Sequence, residues 1–229
     1  MNGVFVTGTD TGVGKTRVAC ALAHALAARG ARVRARKPVE SGVDARNGPA
    51  DAQALREAAG AHEPVDAVCA LTLRAALSPE RAAALEGRAL ALDDVIDAAR
   101  RGVGAEDFAL VEGAGGLYSP IADGALNADL ADALGLPVLV VAADRLGTIN
   151  HCLLTLEALQ RRGRDVVALV LSRTQADVTE GMDNAADLRR RVGVPVIELA
   201  YGEDTGAAAW AREAVLLDGL AAGLLGSAR

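Results

Sequence analysis

Short apolar runs alternate with longer amphipathic stretches along most of the chain. Runs such as Val4-Phe5-Val6, Phe108-Ala109-Leu110-Val111 and Val138-Leu139-Val140-Val141 lack the alternating polar positions of a half-solvated strand. They have the character of strands buried on both faces. The pattern predicts strands at 3–8, 32–37, 107–111, 137–143, 166–171 and 194–198. Helices are predicted at 15–29, 51–60, 79–87, 92–101, 126–134, 148–162, 179–192 and 207–223. This alternation implies right-handed crossovers and a doubly wound α/β fold, a mostly parallel sheet with helices on both faces. No repeat or linker interrupts the 229 residues, so residues 1–229 are expected to form one domain. Its least regular part is 38–78, with Pro38, Gly42, Gly48, Pro49, Gly60 and Pro64.

Composition changes this picture in three ways. Apolar residues make up 51% of the chain but aromatics only 2%, so small aliphatic side chains must fill the core. A net charge of −6 argues against sequence-independent nucleic-acid binding, which needs clustered cations. Arg161-Arg162 and Arg189-Arg190-Arg191 fall late in helical runs, where they complement the helix dipole. Cys20, Cys69 and Cys152 have no metal-ligand spacing and are expected to sit reduced in a cytosolic interior. The chain opens on a strand and not on a signal peptide, and no apolar run reaches the roughly 20 residues that span a bilayer. A cytoplasmic protein without membrane or nucleic-acid partners is expected.

In doubly wound folds ligands bind beyond the carboxyl ends of the strands, so residues there carry the chemistry. The first strand runs into Gly8-Thr9-Asp10-Thr11-Gly12-Val13-Gly14-Lys15-Thr16, followed by a helical run. Such a loop turns backbone N–H groups inward at a helix start and makes an anion cradle. Lys15 is placed to reach terminal phosphates and Thr16 to ligate Mg²⁺. Five residues, not the usual four, separate Gly8 from Gly14-Lys15. The second strand ends in Lys37-Pro38-Val39-Glu40-Ser41-Gly42, which either points a cation into the same crevice or caps a strand at the surface. Asp51 reads equally as a helix N-cap or a ligand. Glu112 ends an apolar strand ahead of Gly113-Ala114-Gly115-Gly116, and a buried charge there demands a partner. Leu146-Gly147-Thr148-Ile149-Asn150-His151 opens another helix, with Thr148 as its possible cap and His151 in a structural role.

Taken together, these four blocks resemble the dethiobiotin synthetase family in order and approximate spacing, and the five-residue loop is a trait of that family. The resemblance implies a P-loop NTPase-like fold and ATP- and Mg²⁺-dependent closure of a cyclic urea on 7,8-diaminopelargonate with CO₂. It implies that Gly12, Val13, Gly14, Lys15, Thr16, Arg17, Asp51, Glu112, Gly113, Ala114 and Gly115 hold the nucleotide and its metal. Thr16, Asp51 and Glu112 are the implied metal ligands, and Lys15, Lys37 and Thr11 the implied catalytic set. Ser41 is implied to touch the substrate. Thr148, Ile149 and Asn150 are implied to do so across a homodimer interface. Ser172-Arg173 stands where relatives carry an adenine-reading Asn-Asp pair, so weak base discrimination is expected. Ser78-Pro79-Glu80 and Ala200-Tyr201-Gly202 also depart from the family pattern. Partitioning and nitrogenase-reductase ATPases look similar but place a lysine at the position of Asp10. Cobyric-acid-synthase-type amidotransferases need a further glutaminase domain, and a degenerate nucleotide-binding module is disfavoured by intact Lys15, Thr16, Lys37 and Glu112.

Overall fold

The computed structural model describes residues 1–177, 179–202, 204 and 206–226. Its elements run β1 (Gly3–Gly8), α1 (Lys15–Ala28), β2 (Val33–Arg36), β3 (Val39–Ser41), α2 (Ala50–Ala58), α3 (Val65–Val68) and β4 (Leu71–Leu73). There follow α4 (Pro79–Leu85), α5 (Leu92–Arg100), β5 (Phe108–Gly116), β6 (Pro120–Ala122), β7 (Ala125–Leu126) and α6 (Asn127–Leu134). The last are β8 (Val138–Ala143), α7 (Thr148–Arg161), β9 (Val166–Ser172), α8 (Asn184–Arg189), β10 (Val196–Leu199) and α9 (Ala207–Gly226).

Six parallel strands form the central sheet in the order β2-β5-β1-β8-β9-β10. The chain winds from β1 to one edge, returns through β5 and then crosses to β8. Its direction therefore reverses around β1 and β5, and their carboxyl ends open the crevice. Side chains on each strand alternate between two cores. Val4, Val6, Leu110, Leu139 and Val141 pack with α1, α2 and α9. Phe5, Val111, Val138, Val140 and Leu171 pack with α4, α5, α6, α7 and α8. Both faces are apolar, which is why these strands read as unbroken runs. All three cysteines are buried and free, and burial pushes the Cys69 and Cys152 thiols up to about 12. Neither is a nucleophile near neutral pH.

Three expectations are corrected. β5 continues past 111 to Gly116, because its ladder to β1 resumes at Gly8↔Gly116 after an irregularity. The irregular stretch 38–78 holds a two-stranded parallel sheet, with Val39 opposite Leu71 and Ser41 opposite Leu73, and the short α3. Strands of three residues are too short to show a period. The helix expected over 179–192 is confined to Asn184–Arg189, where the Asp183 carboxylate caps it by accepting the Ala186 N–H at 2.9 Å. The arginine runs do sit at helix ends, and each also finds carboxylates: Arg162 reaches Asp129 and Asp132, and Arg189 reaches Glu198.

At the edge strand β2 a charged network replaces apolar packing. Arg36 is fully buried and donates to both Glu63 oxygens at 2.9 Å, as well as to the Arg101 carbonyl. Arg34 reaches Glu63 and Asp107, each at 3.2 Å.

Candidate active site

β1 delivers Gly8 into the loop and α1 begins at Lys15, so the loop's amides crowd at a helix N-terminus. Gly14 caps that helix at φ 90°, ψ 23°, and a Cβ there would lie 2.6 Å from Ser172 Oγ. Only glycine satisfies both conditions. The loop borders a cleft of about 390 Å³. Thr11, Gly12 and Gly14 line it from the loop, Lys15, Thr16 and Arg17 from the first turn of α1, and Lys37, Ser41 and Asp51 from the segment after β2. Glu112, Ala114 and Gly115 line it from β5. Val13 is buried in the core, so only its backbone serves the loop. Gly113 packs against Phe5 and Asn127 and turns only its carbonyl toward Lys37, at 3.4 Å.

The centre of the cleft is an ionic cluster. The Lys37 ammonium donates to Glu112 Oε1 at 2.5 Å and meets Asp51 Oδ2 at 2.9 Å. Thr16 Oγ1 donates to the same Glu112 oxygen at 2.9 Å. Glu112 is fully buried, yet its Oε2 has no hydrogen-bond partner. Lys37 is thus the surface-free alternative of the two weighed from sequence: it points into the crevice. Asp51 is not the N-cap of α2, which is Pro49; its carboxylate faces Lys37 from the first turn.

Charge balance sets the protonation states. Burial alone would lower the Lys37 pKa, but Glu112 and Asp51 outweigh it and hold the ammonium charged. Burial would raise Asp51, and Lys37 with Thr16 reverses this, so the carboxylate stays below its usual range. Lys15 is shifted down, chiefly by burial, with Lys37 adding to the shift; its Nζ donates to the Asp10 carbonyl at 3.2 Å. Two cations and two carboxylates converge beside a phosphate-type loop, an arrangement suited to positioning and neutralising transferred phosphate.

Other predicted residues lie elsewhere. Thr148 is buried at the first position of α7, where Gly147 is the cap, and its hydroxyl donates to the Ala143 carbonyl. It does not cap the helix, and Thr148, Ile149 and Asn150 do not line this cleft. His151 sits in a separate groove beside Tyr118 and Leu154. Ser172 is fully buried behind Gly14, so it is not presented to a base. Arg173 pairs with Asp144 at 3.0 Å, and it is Thr174 that reaches the cleft. Arg17 ties the ends of three elements together. Its guanidinium holds Glu213 on α9 and the carbonyls of Arg173 and Ala200. A larger cavity of about 800 Å³ opens at the opposite ends of the strands, between Pro137, Val167, Ile197 and Leu220. Among the described residues Asp165 is its one acidic side chain and no basic side chain lines it, so phosphate chemistry belongs to the smaller cleft.

A family model described as an AAA domain matches residues 2–201. The ATP-dependent dethiobiotin synthetase BioD of Anaeromyxobacter dehalogenans (strain 2CP-C) is 50% identical over 191 residues, 83% of this chain and 85% of that protein. The chain belongs to the dethiobiotin synthetase family. The synthetase of Caulobacter vibrioides (strain NA1000 / CB15N) is 45% identical, covering 85% of this chain and 86% of its own. Among solved structures, the MinC:MinD cell division protein complex of Aquifex aeolicus superposes with a TM-score of 0.58 at 15% identity, covering 99% of this chain and 96% of that one. That likeness shows the P-loop NTPase-like fold alone.

Two further residues line the cleft beyond those the sequence pattern marks. Glu40 is buried at the cleft wall and accepts the N–H groups of Asp51 and Ala52. Its position three residues after Lys37 was visible, but its partner lay eleven residues on, across an irregular loop. Thr174 carried no signal beyond following β9.

Proposed function

We propose that this cleft makes dethiobiotin from 7,8-diaminopelargonate, CO₂ and ATP, in the cytoplasm and within one nucleotide-binding domain. Family membership carries ATP-dependent dethiobiotin synthesis, a ligase reaction of biotin biosynthesis. The observation that carries the reaction course is the Lys37 ammonium, fixed between Glu112 and Asp51 beside the loop. A substrate amine adds to CO₂, forming an N–C bond and releasing a proton to give a carbamate. A carbamate oxygen attacks the γ-phosphorus and ADP leaves. The second amine then attacks the carbamoyl carbon and loses a proton, the carbamoyl C–O bond breaks to release phosphate, and the cyclic urea closes.

The chain's residues meet the physical demands of each step. The loop amides and Lys15 hold the β- and γ-phosphates, and Lys37 with Thr11 orients the carbamate and balances charge on the transferring phosphoryl group. Thr16, Asp51 and Glu112 supply hard oxygen donors for Mg²⁺, and the unpartnered Glu112 Oε2 fits that use. The ion, when bound, neutralises charge on the phosphates. Ser41, whose hydroxyl is oriented by the Leu77 carbonyl at 2.6 Å, is an acceptor for a substrate amine. Asp10, at the position of the switch ATPases' lysine, favours a synthetase. Incubating the protein with the diamine, bicarbonate, Mg²⁺ and ATP should yield the cyclic urea by mass. Nucleotide hydrolysis without that product would overturn the reading.

Thr148–Asn150 act from a second copy of the chain. They do not line their own cleft, and Leu146, Leu153 and Leu154 are exposed on the same helix and the turn before it, as an interface requires. Their amides at the start of α7 then receive the substrate carboxylate. Mixing inactive Lys37→Ala with inactive Asn150→Glu should restore turnover, because one composite site per heterodimer is intact. No recovery in a proven heterodimer would exclude a shared site.

Base choice does not lie with Ser172. Ser172→Asn should drive its amide into Gly14 and lower affinity for all triphosphates alike. A changed ranking of ATP against GTP in nucleotide titrations would instead make position 172 a reader of the base.

A further inference from the structure

Glu40 sits in the middle of β3, almost fully buried, three residues after Lys37. Its two oxygens accept the backbone N–H groups of Asp51 (3.1 Å) and Ala52 (3.0 Å). These are orphan donors in the first turn of α2, and the cap residue Pro49 has no side chain to take them. Glu40 is itself anchored, because it lies opposite Thr72 in the β3–β4 ladder. Asp51 is therefore gripped twice by one short segment. Lys37 holds its carboxylate at 2.9 Å and Glu40 holds its amide. A Ser or Asn in place of Pro49 would cap the helix without burying a second carboxylate beside Asp51. The costlier solution locks α2 to β3, the strand that starts just after Lys37-Pro38.

We infer that Glu40 is a positioning residue for the divalent cation: by capping α2 from β3 it fixes the Asp51 carboxylate relative to Thr16 and Glu112. The inference rests on the reading of Thr16, Asp51 and Glu112 as the metal ligands. It is tested by titrating Mg²⁺ into the protein with ADP and following thermal stabilisation, alongside turnover. Glu40→Ala should raise the Mg²⁺ midpoint about tenfold or more in both readouts. Glu40→Gln, whose amide oxygen still accepts one N–H, should fall between Ala and wild type. Saturating Mg²⁺ should recover most of kcat, and ADP binding in EDTA should stay unchanged. Wild-type Mg²⁺ midpoints in both variants, or an equal loss of ADP binding in EDTA, would overturn the inference. If Glu40→Ala does not fold, Glu40→Gln decides alone. Asp51→Asn separates the two levels. If it leaves the Mg²⁺ midpoint unchanged, the metal assignment itself fails; if it shifts the midpoint and the Glu40 variants do not, only the role of Glu40 fails.

Discussion

Lys37→Ala should cut kcat about a thousandfold while changing ATP affinity less than about tenfold. The ammonium lies between Glu112 and Asp51, and on the proposed course it faces the transferring group while the loop and Lys15 hold the remaining phosphates. An interaction made mainly in the transition state lowers kcat and kcat/KM together and leaves ground-state binding nearly intact. Single-turnover rates and equilibrium nucleotide titrations separate the two, and equal losses would assign Lys37 to binding alone. The same change strips a fully buried Glu112 of its cation, so the unliganded variant should also lose stability. Mg²⁺ with nucleotide should return much of that stability, and kinetics are therefore best read at saturating concentrations of both.

Arginine should not rescue this position. The chain contains only two lysines, Lys15 and Lys37, and every other one of its 24 basic residues is arginine. Both lysines are in the cleft. A compact ammonium fits a gap with oxygens at 2.5 and 2.9 Å on two different carboxylates. A planar guanidinium needs a wider fork-shaped site and spreads its charge over it. Lys37→Arg should therefore keep charge and stability better than Lys37→Ala, yet remain at least about a hundredfold slower than wild type.

How much was legible follows from distance along the chain. The phosphate loop, Lys37 and Glu112 each announce themselves within a few residues, through a glycine pattern or a charge ending an apolar run. The strands are legible because both faces are buried, which leaves unbroken aliphatic runs. What escaped depends on contacts between distant segments. β3 and β4 gain meaning only by pairing with one another, and Glu40 only through the amides of a helix beyond a loop. Ser172 shows the same limit from the other direction. Its alignment with a base-reading position implied weak base discrimination from the short side chain alone, whereas the end of β9 buries that side chain under Gly14. The position after a strand predicts proximity to the site, not which side of the loop a side chain occupies.

Away from the cleft, Glu63→Gln should cost about 3 kcal/mol of stability, near the lower end for breaking a buried ion pair. Arg36 has no exposed surface and takes both Glu63 oxygens, so an uncharged partner leaves a guanidinium in the interior with only carbonyls to answer it. Partial exposure of Glu63, 15% at its side chain, keeps the loss from being larger. For a chain of this size the melting temperature should fall about 6–12 °C. The pH dependence carries the same signature. Burial would raise the Glu63 pKa, but Arg36 and then Arg34 outweigh it and hold the carboxyl below its usual range. The pair's contribution is then complete above the unfolded value of about 4.3 and disappears as pH falls through the folded one. Calorimetry from pH 7 to 3 should show wild type losing this increment in acid, while Glu63→Gln is flatter there. Because Glu63 lies outside the cleft, turnover per folded molecule should be unchanged. A melting temperature within about 2 °C of wild type would mean the network adds no net stability. Its value would then lie in guarding β2, an edge strand whose inward charges discourage pairing with another chain, and Glu63→Gln would betray itself by aggregation.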